Sequence, residues 1–420
     1  MLHSSFCRRI LCAQAFVLIS LICHSAVRPG IEVLEGRGFE GLVGKKVGLL
    51  TNPSGVDRNL RSTIDILNEA PEVNLVKLFA PEHGVRGDIY AGGKVTDSVD
   101  PKTGIPVYSL YGRTRMPSDE MLRGLDVLVY DIQDIGSRSY TFISTLGLVM
   151  RACALNDVEV MVLDRPNPLG GNKVEGCLVE PGFHSFVSEF AIPYIYGLTV
   201  GELALLINEE GLNCGEKGDQ KPLKCRLSVI PMEGWTRDML YPQTGLPWIL
   251  PSPNIPYPES AVNYPSSGIA GEFRSFLNIG IGYTLPFAVF AAEWIDADAL
   301  KAKLDEYEIP GTVFRTIHFK PFSGSNKDVL VHGVQFHYTD YEAAVCTLTQ
   351  FYVLQAVNEL YPSHNPFLNS DAPMAMFDKV CGTDYVRKTF KTRMKVEDIK
   401  DYWSKDVEDF KRLSKRYHLY

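Results

Sequence analysis

The chain has 420 residues, 45% of them apolar and 22% charged, with a formal net charge of −8. That is ordinary globular material, long enough for two or three domains. No block of about five or six like charges builds a basic stripe, which argues against nucleic acid as a partner, and beyond the N-terminus no run of about 18 apolar residues is available to span a membrane.

Taken in chain order, Arg8 and Arg9 precede an apolar run from Ile10 to Ile22 and then Ser25 and Ala26. This is the pattern of a cleaved signal peptide over residues 1–26, and it predicts a soluble periplasmic or secreted protein. Leu21-Ile22-Cys23 is a poor lipidation sequence, so a lipid anchor at Cys23 is not expected. Gly36-Arg37-Gly38-Phe39-Glu40-Gly41 spells a dinucleotide fingerprint, but it precedes the first strand instead of following one, and reads as a turn.

Short β-branched runs follow at Val47 to Thr51, Leu75 to Ala80, Val127 to Asp131, Glu159 to Asp164 and Leu227 to Pro231. Ser62 to Glu69, Thr141 to Asn156 and Thr199 to Glu210 read as helices between them, with Ser62, Thr141 and Thr199 as N-caps. Strand and helix alternating in this way predict a doubly wound, mainly parallel α/β sheet over residues 27–255. Cys214 and Cys225 flank a polar loop, where a disulfide and two unpaired thiols are equally compatible with the sequence. The Pro-rich passage from Pro247 to Pro265 cannot be helical and marks the boundary to a smaller α+β domain over 256–420. There we expect a helix from Ala299 to Tyr307, a strand from Val329 to Tyr338, a helix from Tyr341 to Leu360, and a last helix near Val396 to Tyr417 whose apolar stripe serves packing.

Ligands of open parallel sheets bind outside the carboxyl ends of the strands, so chemistry is sought there. Glu82 follows the apolar Leu78-Phe79-Ala80, a setting that suits a general acid, and Asp131, Asp134 and Asp164 are candidates for the ionised partner that glycoside hydrolysis requires. An ion pair of Asp131 or Asp164 with Arg138 or Arg165 is the structural alternative. Arg86, Arg113, Arg115 and Arg138 could fork onto a substrate carboxylate, and Tyr108, Tyr111, Tyr140 and Trp248 could stack on a sugar face or simply fill the core. No phosphate-binding loop, H-E-x-x-H or C-x-x-C occurs. His332 and His337 point to opposite faces of a strand, so no metal site is expected from that pair.

Taken together, these strings resemble the exo-β-N-acetylmuramidases of glycoside hydrolase family 171. They are Pro81-Glu82-His83-Gly84 with Arg86-Gly87, Pro106 to Gly112, Asp131-Ile132-Gln133-Asp134-Ile135-Gly136, Tyr140-Thr141, Asp164-Arg165-Pro166-Asn167-Pro168, Gly201-Glu202-Leu203-Ala204 and Pro251-Ser252-Pro253-Asn254. The resemblance implies a Rossmann-like domain without a nucleotide or other cofactor, a smaller domain beside the cleft, and release of N-acetylmuramic acid from non-reducing ends of peptidoglycan fragments. On that basis the catalytic set is Glu82, positioned by His83, with Asp131, Asp134 or Asp164. The contacts to the small carbohydrate substrate come from Asn52, Arg86, Tyr111, Gln133, Arg138, Tyr140, Arg165, Asn167, Ser252 and Asn254. Tyr196 stands where the family has histidine, and Ile281 where it has arginine. These departures raise the alternative of a muropeptide-binding paralogue with altered specificity or no turnover.

Overall fold

The computed structural model describes residues 27–82, 84–87, 96–112, 114–211, 223–273, 276–367 and 374–420. The predicted signal segment, His83, Arg113 and Cys214 lie outside the described residues. The first domain runs α1 (Gly30–Gly36), β1 (Lys46–Thr51), α2 (Thr63–Glu69), β2 (Asn74–Ala80), β3 (Ser98–Val99), β4 (Pro106–Ser109), α3 (Asp119–Leu122), β5 (Val127–Asp131), α4 (Phe142–Leu155), β6 (Glu159–Leu163), α5 (Val200–Glu210) and β7 (Leu227–Ile230). The strands form one seven-stranded sheet in the order β3-β4-β2-β1-β5-β6-β7, parallel except for the antiparallel edge pair β3 and β4.

Burial on both faces explains why these runs read as nearly continuous apolar stretches. Within β5, Val127 and Val129 join Ile31, Leu34, Ile64 and Leu67 in one core, while Leu128 and Tyr130 join Leu146, Val149, Leu203 and Ile207 in the other. Each fully buried branched side chain contributes roughly 1.5–3 kcal/mol. Crossover helices follow from sheet geometry, and their starts follow from local chemistry. Ser62 caps α2 by accepting from Asp65 N, and Thr199 and Glu202 make a reciprocal capping box on α5. The glycine-rich segment after α1 is a series of turns, as its position before β1 requires.

The second domain holds α6 (Pro258–Asn263), β8 (Val289–Ala292), α7 (Ala297–Asp305), β9 (Thr312–Phe319), β10 (Val331–Tyr338), α8 (Cys346–Leu360), α9 (Met374–Cys381), α10 (Tyr385–Arg393), α11 (Lys400–Ser404) and α12 (Val407–Ser414). Helix α6 lies inside the Pro-rich passage expected to be free of helix, because Pro258 takes the first helical position, where no N–H is needed. Its antiparallel sheet has the order β8-β10-β9. Phe290, Phe336, Leu300, Phe351 and Trp403 share its core.

Two helix boundaries differ from the sequence expectation for identifiable reasons. Helix α8 begins at Cys346 and not Tyr341, because Glu175 of the first domain accepts Cys346 N at 3.2 Å and Thr347 N at 2.8 Å in place of a local cap. The C-terminal helix is broken between Ser404 and Val407, where the Asp406 carboxylate accepts Leu178 N at 3.0 Å. Its stripe then serves two cores: Val396, Ile399 and Trp403 pack in the second domain, and Phe410 packs in the first. Among the described residues, no helix is long and apolar enough to cross a membrane.

Candidate active site

Chain direction across the sheet reverses between β1 and β5, and this reversal opens a crevice above their carboxyl ends. The loops after β1, β2, β4, β5 and β6 meet there, together with the Pro251 to Asn254 passage.

The floor of the crevice is closed by an internal ion pair. Asp131 is fully buried and takes Arg165 Nε at 2.5 Å, Arg165 Nη2 at 2.9 Å and Thr63 Oγ1 at 2.5 Å. Arg165 adds a bond to Val56 O at 2.8 Å. Asp131 and Arg165 thus form an internal ion pair, and both groups are occupied by scaffold.

Asp164 is equally engaged. Its Oδ1 accepts Arg165 N at 3.0 Å and Gly201 N at 2.8 Å, and its Oδ2 accepts Thr199 Oγ1 and Tyr420 OH at 2.7 Å each. Burial pushes its carboxyl up to about 6 against the pull of Thr199, Tyr420 and Gly201 N. Gly201 is required because a Cβ there would stand 2.7 Å from Asp164 Cγ.

Asp134 differs. Its Oδ2 accepts Gly136 N at 2.8 Å and the Tyr196 hydroxyl, while its buried Oδ1 has no hydrogen-bond partner. Burial raises this carboxyl to about 6, although Tyr196 and backbone N–H groups pull it down. The bond to Gly136 N is an Asx-type turn, which the left-handed φ of 77° at Gly136 completes. A Cβ at Gly136 would meet Asn167 Oδ1 at 2.3 Å, so glycine is needed there.

Glu82 is half-buried on the turn after β2, which Gly84 N closes onto Pro81 O at 3.2 Å. It is hydrogen-bonded by Tyr111, whose phenol is pushed up to about 12 by burial and by that carboxylate. Burial likewise raises Tyr140, and it lies in the fields of both Asp134 and Glu82 with its hydroxyl against Ser252. Tyr264, raised by burial to about 12, feels the same two carboxylates and meets Ser139 Oγ at 3.1 Å. Tyr140 and Tyr264 touch edge to face at 6.0 Å between ring centroids. Tyr140 and Tyr264 thus lie in the fields of both Glu82 and Asp134, with Tyr111 hydrogen-bonded to the first and Ser252 beside Tyr140.

Several predicted substrate contacts are instead fasteners of this wall. Asn52 donates to Pro251 O at 3.1 Å and accepts Ser54 N at 3.0 Å, tying the β1 loop to the loop of Ser252 and the half-buried Asn254. Gln133 Nε2 donates to Asp134 O and Pro166 O at 2.7 Å each, while its buried Oε1 has no hydrogen-bond partner. Asn167 holds Leu198 O and Leu169 N at 2.9 Å each.

Two arginines expected to read a substrate carboxylate are engaged elsewhere. Arg86 grips Asp100 at 2.9 and 3.0 Å and holds that carboxyl down to about 2. Arg138 is fully buried, and its terminal nitrogens donate to Cys177 O at 2.8 Å, Ile192 O at 2.6 Å, Val380 O at 3.0 Å and Cys381 O at 2.8 Å. Arg115 is exposed, stacks on Phe186 at 4.1 Å and is near enough to Tyr111 to lower its phenol. Sequence reasoning missed Tyr264 and Ser139, and it treated Tyr196 only as a departure; no local pattern connects these to Glu82 or Asp134.

Residues 47–259 match the family described as exo-beta-N-acetylmuramidase NamZ, N-terminal, and residues 262–420 match its C-terminal counterpart. The chain is 40% identical over 394 residues to the peptidoglycan beta-N-acetylmuramidase NamZ of Bacillus subtilis (strain 168), covering 94% of this chain and 91% of that protein. Among solved structures it is similar to a DUF1343 family protein of Bacteroides fragilis NCTC 9343 with a TM-score of 0.88 and 52% identity, covering 94% of this chain and 99% of the other. A second DUF1343 family protein of that strain gives a TM-score of 0.72 and 29% identity at the same coverages of 94% and 99%. With both halves matched and the fold shared along the chain, this protein belongs to the exo-β-N-acetylmuramidase NamZ family.

Proposed function

We propose that this protein is an exo-acting glycoside hydrolase that releases N-acetylmuramic acid from the non-reducing ends of peptidoglycan fragments during cell-wall turnover. One observation carries the reading: of the three strand-end aspartates, Asp134 alone keeps a carboxylate oxygen without a partner, and Tyr140 and Tyr264 lie in its field and in that of Glu82. The activity named for the Bacillus relative supports the same conclusion.

In this reading Glu82, oriented by Tyr111, gives its proton to the glycosidic oxygen as the bond to the anomeric carbon breaks. The buried Asp134 carboxylate stabilises through its field the positive charge that builds on the sugar ring. Water then adds to the anomeric carbon and returns a proton to Glu82. With Arg86 and Arg138 engaged, Arg115 is the described arginine suited to the lactyl carboxylate. The Arg8-Arg9 and Ile10 to Ile22 pattern supports export to the periplasm or beyond.

A chromogenic β-N-acetylmuraminide tests the activity. Turnover by the wild-type chain and its loss by a factor of about 10² or more in Glu82→Gln are expected, within the range for a general acid. Saturable binding without product release would overturn hydrolysis and leave a sugar-binding protein. Cell fractionation tests export, and a cytoplasmic pool of uncleaved chain would refute it.

A further inference from the structure

We propose that the imidazoles of His318 and His332 form a two-nitrogen site for divalent copper at the end of the C-terminal sheet, independent of the glycosidase cleft. The two residues are directly opposite in the antiparallel pairing of β9 with β10. Their Nδ1 atoms are 2.7 Å apart, with ring centroids at 5.0 Å and ring planes at 69°. At that separation one nitrogen must donate and the other accept, so a single proton lies between two lone-pair positions.

With that proton moved to the far nitrogen, a metal seated to one side of the line between the two Nδ1 atoms can use both lone pairs once the rings turn toward it. With metal–nitrogen bonds of about 2.0–2.1 Å, a right-angled bite needs the nitrogens about 2.9 Å apart, whereas a tetrahedral bite needs about 3.3 Å. From 2.7 Å the first is an opening of about 0.2 Å and the second about 0.6 Å. Strand separation is fixed, because β10 is the central strand, paired on both sides from His332 to Gln335, so ring rotation must supply the opening, and least of it for the right-angled bite. A right-angled nitrogen pair belongs to tetragonal copper or nickel, and copper binds more tightly of the two.

Access is suitable. His318 is exposed on the edge strand and His332 is half-buried beside it, so solvent reaches the pair from the His318 side. Solvent would complete the sphere, since no group of three or more His, Cys, Asp or Glu side chains suited to a metal occurs among the described residues. With both rings neutral, binding moves one proton from Nδ1 to Nε2 of the donor ring and releases none.

Titration of copper sulfate into the full mature chain tests this, read by calorimetry and by electron paramagnetic resonance. We expect one equivalent with two imidazole nitrogens, affinity at least tenfold above that for zinc sulfate, and a loss of tenfold or more in His318→Ala and in His332→Ala. Equal binding by wild type and both variants, or zinc binding as tight as copper, would overturn the site. Broadening of both histidine ring signals by substoichiometric copper in the unmutated protein is expected as well, and its absence would overturn the site without recourse to any variant. Muraminide hydrolysis by His318→Ala is expected to equal wild type, so the two readings fail separately.

Discussion

Replacing Tyr196 with phenylalanine removes one hydroxyl from the buried Asp134 carboxylate and leaves the ring in its pocket, where Tyr196 is 1% exposed. Asp134 titrates at about 6, the balance of burial, which raises it, and of Tyr196 and backbone donors, which lower it. A hydrogen bond to a charged group is worth about 1.5–3 kcal/mol, and about 1.4 kcal/mol moves a midpoint by one pH unit, so the variant midpoint falls at about 7 to 8. The sign is fixed: the lost donor favoured the ionised form, so the proton is held more tightly. If the ionised Asp134 acts on the sugar through its field, the acid limb of kcat/KM moves to higher pH by the same interval. At pH 9 the variant retains a rate within about tenfold of wild type at the same pH, since Asp134 is then ionised in both proteins. The assay is initial rate against pH from 4 to 9 with a chromogenic muraminide. A Tyr196→Phe profile superimposable on wild type would refute Asp134 as the titrating partner of Glu82.

The same carboxyl sets a stability prediction. Its folded midpoint of about 6 lies above the ordinary 3.8, so the stability it contributes is full below 3.8 and is lost as pH rises through 6. Asp134→Asn should therefore gain on wild type by about 3 kcal/mol at pH 8 and by little at pH 3.5 in urea unfolding, while losing muraminide turnover. A gain that is equal at both pH values would contradict it. Arg165→Met leaves Asp131 buried without its cation and should lower stability by about 3–5 kcal/mol, and adding Asp131→Asn should recover more than half of that loss. Additive losses in the double variant would show the pair to be uncoupled.

The parallel sheet was legible because its strands are buried on both faces and end in polar residues: Val127 to Asp131 is read from sequence alone with correct bounds. Short or proline-led strands were not, and Pro106–Ser109 and Val289–Ala292 carry too few residues to show a period. Thr312–Phe319 alternates buried and exposed residues only over its first four positions, too short a stretch to mark a strand in the sequence. The position of Glu82 at a strand end was equally readable. Which aspartate stays available was not, because it depends on partners far along the chain: Asp164 is filled by Tyr420 and Thr199, and Asp131 by Arg165. Arg138 resembles any surface arginine in sequence. Its burial becomes visible only when carbonyls from distant segments converge on it.

That convergence has a mechanical meaning. Cys177 and Ile192 belong to one half of the molecule and Val380 and Cys381 to the other, so a single guanidinium rivets the two together. Bonds of this charge-assisted kind are each worth about 1.5–3 kcal/mol, and swinging the halves apart would break at least two without water to replace them. Hinged opening of the two halves is thereby opposed, so a turnover that needs no such movement is expected to be indifferent to solvent viscosity.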